Sequence, residues 1–209
     1  MKKILEKIKR LRKGRVKKLI DKRVKEFKRA GKSSKQRIFS ELCFCILTAN
    51  YSAEGGIRIQ KEIGDGFLKM GEKALAKKLK KLGHRFPNTR AKFIVEARKK
   101  FAKKIKEIVF SFADGREARE WLVKNVKGLG YKEASHFLRN VGFMDLGIVD
   151  FHIVDLLVKN RIIKKPKTIT RKKYFEIEDV LKKLAERTGL EPGELDLYLW
   201  YIETGKVLK

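Results

Sequence analysis

The stretch Leu122-Val123-Lys124-Asn125-Val126-Lys127-Gly128-Leu129-Gly130-Tyr131-Lys132-Glu133-Ala134-Ser135-His136-Phe137-Leu138 sets two helical segments on either side of a Gly-hydrophobic-Gly turn. The first segment should end near Asn125 and the second begin near Tyr131. Two glycines permit positive φ and let an anion come close to the backbone, while the N–H groups that open the next helix point outward with its partial positive charge. Gly128, Leu129 and Gly130 therefore read as a clamp for backbone phosphates, which positions a nucleic acid without reading its sequence. A tight turn between two core helices has the same spelling, so neighbouring residues must discriminate between the two.

Lys132 stands two residues past Gly130, at the positive end of a helix and among other cations. Both influences favour the neutral amine that a nucleophile requires. The plainer reading is a solvated or phosphate-binding lysine in a lysine-rich chain. Further on, Ile148-Val149-Asp150-Phe151-His152-Ile153 puts an acid behind an apolar pair at the start of a helix. Asp150 suits an N-cap, and the same helix end should keep its carboxylate ionised. An ionised Asp150 could orient an attacking amine and stabilise positive charge on a sugar ring.

Outward from this segment, apolar residues recur at helical spacing and strand-like alternation is nearly absent, which predicts an all-α fold. Ile4, Ile8 and Leu11 line a first helix, and Leu19, Ile20, Val24 and Phe27 continue the pattern beyond Gly14; core packing explains this basic stripe better than a membrane surface. Gly31-Lys32-Ser33-Ser34 reads as a break, with Ser33 and Gln36 forming a capping box for a buried helix. Ser52 should cap the next helix, which Gly64 and Gly66 end. Further helices fit 72–82, 90–104, 105–112 and 116–125, with a loop from Gly83 to Thr89. Pro192 suits the first turn of a last helix that Gly205 terminates.

The charge points to a polyanionic partner: 54 Lys and Arg against 25 Asp and Glu give a net of +29 over 209 residues. It is interleaved with core positions, unlike the disordered basic tails of many RNA-packing proteins. The N-terminal segment has no unbroken apolar run, which suggests neither a signal peptide nor a membrane span and a cytosolic protein. Cys43 and Cys45 are too few for a four-thiolate metal or iron–sulfur site and, two apart on a helix, are badly placed for a disulfide. They read as plain buried thiols. The Lys-rich, Gln-poor composition hints at a thermophile.

The hairpin residues Gly128-Leu129-Gly130-Tyr131-Lys132, followed by Val149-Asp150, resemble the helix-hairpin-helix, Gly/Pro-rich loop and Asp signature of the endonuclease III and 8-oxoguanine glycosylase superfamily. Within it, Glu41 to Asn50, Gly83-His84-Arg85-Phe86, Gly130 to Gly142 and the ending Trp200 to Lys209 look like the compact prokaryotic and archaeal 8-oxoguanine DNA glycosylase/lyases. The resemblance covers essentially the whole chain. It implies a two-lobed helical fold with a DNA cleft between a central lobe of about residues 33–150, with hairpin 119–138, and a second lobe of about 1–32 plus 151–209.

It also implies removal of 8-oxoguanine from double-stranded DNA by Lys132 attack on C1′, with Asp150 as the acid, then β-elimination through a Schiff base. Phe86 and Trp200 match the groups that sandwich the extruded base, and flipping is required because C1′ is inaccessible inside the duplex. The chain end at Lys209 matches a terminal lysine that helps to tell 8-oxoguanine from guanine, and Asn50 matches a residue that fills the vacated stack. Phe151 departs from the basic residue expected after the acid; His152 beside it is retained. The protein should act as a monomer without a side-chain metal site or cofactor, although the hairpin carbonyls could hold a monovalent cation. Three other readings compete: a non-catalytic hairpin module, a glycosylase for another oxidised base, and a basic RNA-binding protein. Lys132 paired with Asp150, the missing four-cysteine cluster and the absence of aromatic-rich strands argue against them in turn.

Overall fold

The computed structural model describes residues 1–209, which form thirteen helices and no strand, in line with the all-α expectation. Helices α1 (Lys2–Leu11) and α2 (Arg15–Lys32) bury Ile4, Ile8, Ile20 and Phe27, so the basic stripe is a packing face. Leu19 falls outside it and is 51% exposed. Gly31 does not break the chain: a Cβ there would lie 2.1 Å from the Val141 carbonyl oxygen, so the missing side chain lets α2 lie against that backbone. The expected cap shifts by one residue. The Ser33 hydroxyl donates to the Ala30 carbonyl and closes α2, while Ser34 opens α3 (Lys35–Thr48) by accepting from Arg37 N.

Helix α3 buries an unbroken run from Leu42 to Thr48, which makes it a core helix with no solvent face along that stretch. Each large apolar side chain buried there contributes about 1.5–3 kcal/mol. Helix α4 (Ala53–Ile63) begins where Ser52 accepts from Gly55 N at 3.1 Å and ends at Gly64. Gly66 opens the short α5 (Gly66–Lys69) instead of ending α4. After α6 (Glu72–Lys81), α7 (Pro87–Phe101) starts earlier than the apolar spacing suggests, because Pro87 suits a first turn whose N–H groups lack helical partners anyway. Helices α8 (Ile105–Val109), α9 (Gly115–Asn125), α10 (Tyr131–Asn140), α11 (Phe151–Lys159), α12 (Arg171–Thr188) and α13 (Pro192–Thr204) follow. Pro192 lies in the first turn of α13, and Gly205 closes it with φ 73°.

The buried apolar side chains gather in two clusters. One runs from Ile38 to Leu146 around α3 and includes the α9–α10 hairpin. The other joins α1 and α2 to Met144, Val149 and helices α11 to α13. The chain passes from the first to the second through Gly142–Val149, a segment without regular structure that leads directly into Asp150. No helix is long and apolar enough to cross a membrane. Cys43 and Cys45 are buried and free, and burial pushes both thiols well above the ordinary range.

Candidate active site

Between α9 and α10 the chain turns at Gly128, whose φ of 88° favours glycine; a Cβ there would also come within 2.5 Å of the Phe93 ring. Gly130 does not share that conformation. Its φ is −92°, and a Cβ on it would meet only Glu133 Oε2, at 3.3 Å. The missing side chain at Gly130 thus leaves open space over the first turn of α10 and relieves no backbone strain. Leu129 is buried, so it can offer DNA only its main chain. Glu133 Oε2 accepts from Gly130 N at 3.2 Å, and the N–H groups of the following turn have no helical partner.

Lys132 opens from this turn into a cavity of about 790 Å³. Asp150, Asn50, Trp200 and Lys209 line the same cavity, so five residues singled out in the sequence converge from four separate stretches of chain. The Lys132 amine lies 3.4 Å from Glu133 Oε1 and its side chain is 26% exposed. Asp150 caps α11, its Oδ1 accepting from Ile153 N at 2.9 Å. Burial nevertheless pushes the Asp150 carboxyl above its ordinary value, against the pull of the Ile153 N–H and the Lys132 charge. The helix end alone therefore does not set its ionisation, and burial is the larger influence.

Trp200 forms part of the wall, with the His152 ring edge-on at 4.5 Å. Phe151 stacks against His152 at 4.0 Å and stands 67% exposed on the rim, an aromatic where a cation was expected. Asn50 is exposed at the mouth with φ 58°, a left-handed conformation uncommon outside glycine. Phe86 is not brought to the cavity. It precedes Pro87, carries the Arg85 guanidinium 5.0 Å over its ring, and donates its N–H to His84 Nδ1. His84 in turn packs on Tyr51, which does line the cavity.

Past Gly205 the tail returns to the cavity. Lys206 pairs with Glu54 at 2.8 Å, and Lys209 Nζ lies 3.0 and 2.9 Å from the two oxygens of buried Glu41, bonds Gln60, and sits 4.3 Å over the Phe44 ring. The side chain is thereby anchored in the first core while the Lys209 main chain lies beside His136.

His136, Arg139 and Asp196 also line the cavity and were not singled out in the sequence. The first two lie four and seven residues beyond Lys132, on the same face of α10, a helical spacing that could have found them. Burial holds the His136 imidazole well below its usual value, with the Arg139 and Lys132 charges adding to it, so the ring is neutral. Its Nε2 is buried without a partner, as is Trp200 Nε1. Arg139 pairs with Asp196, whose carboxyl burial pushes up to about 6 against the pull of the guanidinium. No group of three or more His, Cys, Asp or Glu side chains could hold a metal ion.

Residues 20–190 match the sequence model of a helix-hairpin-helix family described as 8-oxoguanine DNA glycosylase. The chain belongs to that family. The glycosylase is 57% identical over 201 residues to the 8-oxoguanine DNA glycosylase/AP lyase of Korarchaeum cryptofilum, covering 96% of this chain and 95% of the relative. It is 48% identical over 211 residues to the protein of the same name from Thermotoga maritima, with complete coverage of both. Among solved structures it is similar to the Methanocaldococcus jannaschii 8-oxoguanine glycosylase/lyase in complex with a 15mer DNA containing 8-oxoguanine, with a TM-score of 0.94, 55% identity and coverage of 98% and 99% of the two chains.

Proposed function

We propose that this glycosylase excises 8-oxoguanine from double-stranded DNA and cleaves the strand at the resulting abasic site, with Lys132 as nucleophile and Asp150 as the assisting acid. Relatives that match nearly the whole chain carry both activities in their name, 8-oxoguanine DNA glycosylase/AP lyase. One observation carries the residue assignment. The amine of Lys132 and the carboxyl of Asp150, brought from different helices, open onto a single cavity at the foot of a glycine hairpin.

A nucleotide extruded from the stack brings C1′ into the cavity. Lys132, as the free amine, forms a bond to C1′ as the glycosidic bond breaks and its electron pair leaves with the base. Asp150, ionised, stabilises the positive charge that develops on the sugar. Ring opening gives a Schiff base on Lys132, loss of a C2′ proton expels the 3′ phosphate, and hydrolysis of the imine frees the amine. The hairpin turn and the surrounding cations hold the backbone, which matches a protein with 54 basic residues.

Trp200 is the wall against which the extruded base stacks, with the Lys209 end reading its edge. Asn50 stands where the vacated stack would be filled, and Phe86 would have to close from outside the cavity. The test is borohydride trapping on a duplex with one 8-oxoguanine. The parent protein should form a covalent adduct; Lys132→Gln should bind the duplex yet neither excise nor trap. Full activity in that variant would remove Lys132 from the mechanism.

A further inference from the structure

The structure assigns Tyr174 and Glu178, one turn apart on α12, as positioning residues that fix where Asp150 stands relative to Lys132. This rests on the reading of Lys132 and Asp150 as nucleophile and acid. Neither α12 residue lines the cavity. Between α10 and Asp150 the chain lacks regular structure, so the polar groups of its buried backbone need partners from elsewhere. Two side chains of α12 supply several of them. Glu178 Oε1 accepts from Gly147 N at 3.1 Å, and the Tyr174 hydroxyl accepts from Val149 N at 3.3 Å and lies 3.2 Å from the Gly147 carbonyl. Val149 is the residue directly before Asp150.

The same two side chains also hold the hairpin. The Tyr174 hydroxyl lies 3.2 Å from Ser135 Oγ, on α10 one turn beyond Lys132, and 3.4 Å from the Tyr131 carbonyl directly before it. Glu178 takes a bidentate pair from Arg119 of α9, at 2.6 and 3.0 Å, and Arg119 donates its third bond to Ser135 Oγ at 3.0 Å. Arg119 and Glu178 are each 1% exposed, and the guanidinium lies 5.7 Å from the Tyr174 ring centre and 5.0 Å from that of Phe175. A single hydroxyl thus touches the helix of the nucleophile and the strand of chain that ends in the acid. A small misplacement of reacting groups costs up to about a hundredfold in rate, so one lost anchor should read as roughly tenfold.

Tyr174→Phe removes only that oxygen and tests the assignment. Single-turnover excision of 8-oxoguanine should fall about tenfold, while affinity for the uncleaved duplex and β-elimination at a preformed abasic site stay within about twofold. The abasic aldehyde has no glycosidic bond to break and so does not call on Asp150. Ser135→Ala cuts the α10 side of the same junction, the side that carries Lys132, so excision and β-elimination should fall together while duplex affinity holds; unchanged excision there overturns the assignment if Tyr174→Phe does not fold. Lower thermal stability with unchanged excision, or equal loss in all three measurements, would make Tyr174 a packing residue and overturn the assignment. Asp150→Asn run in parallel separates the two ideas: full excision in that variant refutes the role of the acid itself, whereas a loss there with none in Tyr174→Phe refutes only the positioning.

Discussion

Lys209→Ala keeps the length of the chain and removes the ammonium that ties its tail to the first core. The Glu41 side chain is 3% exposed and would lose two bonds, at 3.0 and 2.9 Å. What remains is Arg37 at 3.2 Å, itself 57% exposed, with Gln60 Nε2 at 3.3 Å and Asn140 Nδ2 at 3.4 Å. Removing one partner of a buried pair costs about 3–5 kcal/mol when the other charge is stranded; since Arg37 still covers part of it, the expected loss is about 3 kcal/mol. With a guanidinium m-value of roughly 2–6 kcal/mol/M, the unfolding midpoint should fall by about 0.5–1.5 M. Adding Glu41→Gln to the same chain should recover part of the loss, because the uncompensated charge is then gone. Tail release should lower excision of 8-oxoguanine and spare cleavage at a preformed abasic site, which has no base to read. An unchanged midpoint would refute the anchoring, and equal loss on both substrates would reduce the tail to support for the fold.

Asp150→Asn should slow base removal by about two to four orders of magnitude, measured in single turnovers. Because burial raises the Asp150 carboxyl and excision needs it ionised, activity should be lost as pH falls through that raised value, so the acidic limb should lie above the ordinary aspartate range; a limb at or below that range would show the helix end prevailing over burial. Gly130→Val should fold, since a Cβ there meets only the flexible end of Glu133 and the φ of −92° is open to any residue, yet weaken duplex binding more than chemistry on bound substrate. In the parent protein, log K against log salt should slope by roughly −0.9 per phosphate contacted, and a flat response would contradict backbone-led recognition.

The all-helical fold was legible because helical apolar spacing is a local property, and the hairpin because Gly128 and Lys132 lie close in sequence. Helix ends are less legible. Ser33 and Ser34 are equivalent as letters, and which of them caps α3 depends on where α2 stops, which the packing of Gly31 against Val141 decides. Ionisation was not legible either: the cap on Asp150 follows from four residues, whereas its burial depends on α13 and the tail arriving from the other end of the chain. The same reason hid Asp196 and the α12 anchors, whose partners are 57 residues away for Arg139–Asp196 and 59 for Arg119–Glu178. Phe86 is a different case: the resemblance, not its neighbours in sequence, singles it out, and its ring lies outside the cavity lining, under the Arg85 guanidinium.

In a chain so rich in bases, the acids it buries fully are informative. They are Glu41, Glu178 and Asp196, and each is paired with a buried or half-buried cation: Lys209, Arg119 and Arg139. Glu41 anchors the tail, Glu178 holds the segment that ends in Asp150, and Asp196 holds Arg139 at the cavity wall. Replacing a buried ion pair by apolar residues of matching volume is often neutral or stabilising by about 1–4 kcal/mol, so stability alone does not explain three such pairs. Apolar contacts are non-directional, whereas a bidentate guanidinium–carboxylate pair such as Arg119–Glu178 fixes both distance and orientation. Lys132, Asp150 and Lys209 come from three elements that share no helix, and the proposed mechanism depends on their relative placement. Directional pairs at the junctions of those elements supply that placement, while the exposed cations are left to grip the DNA.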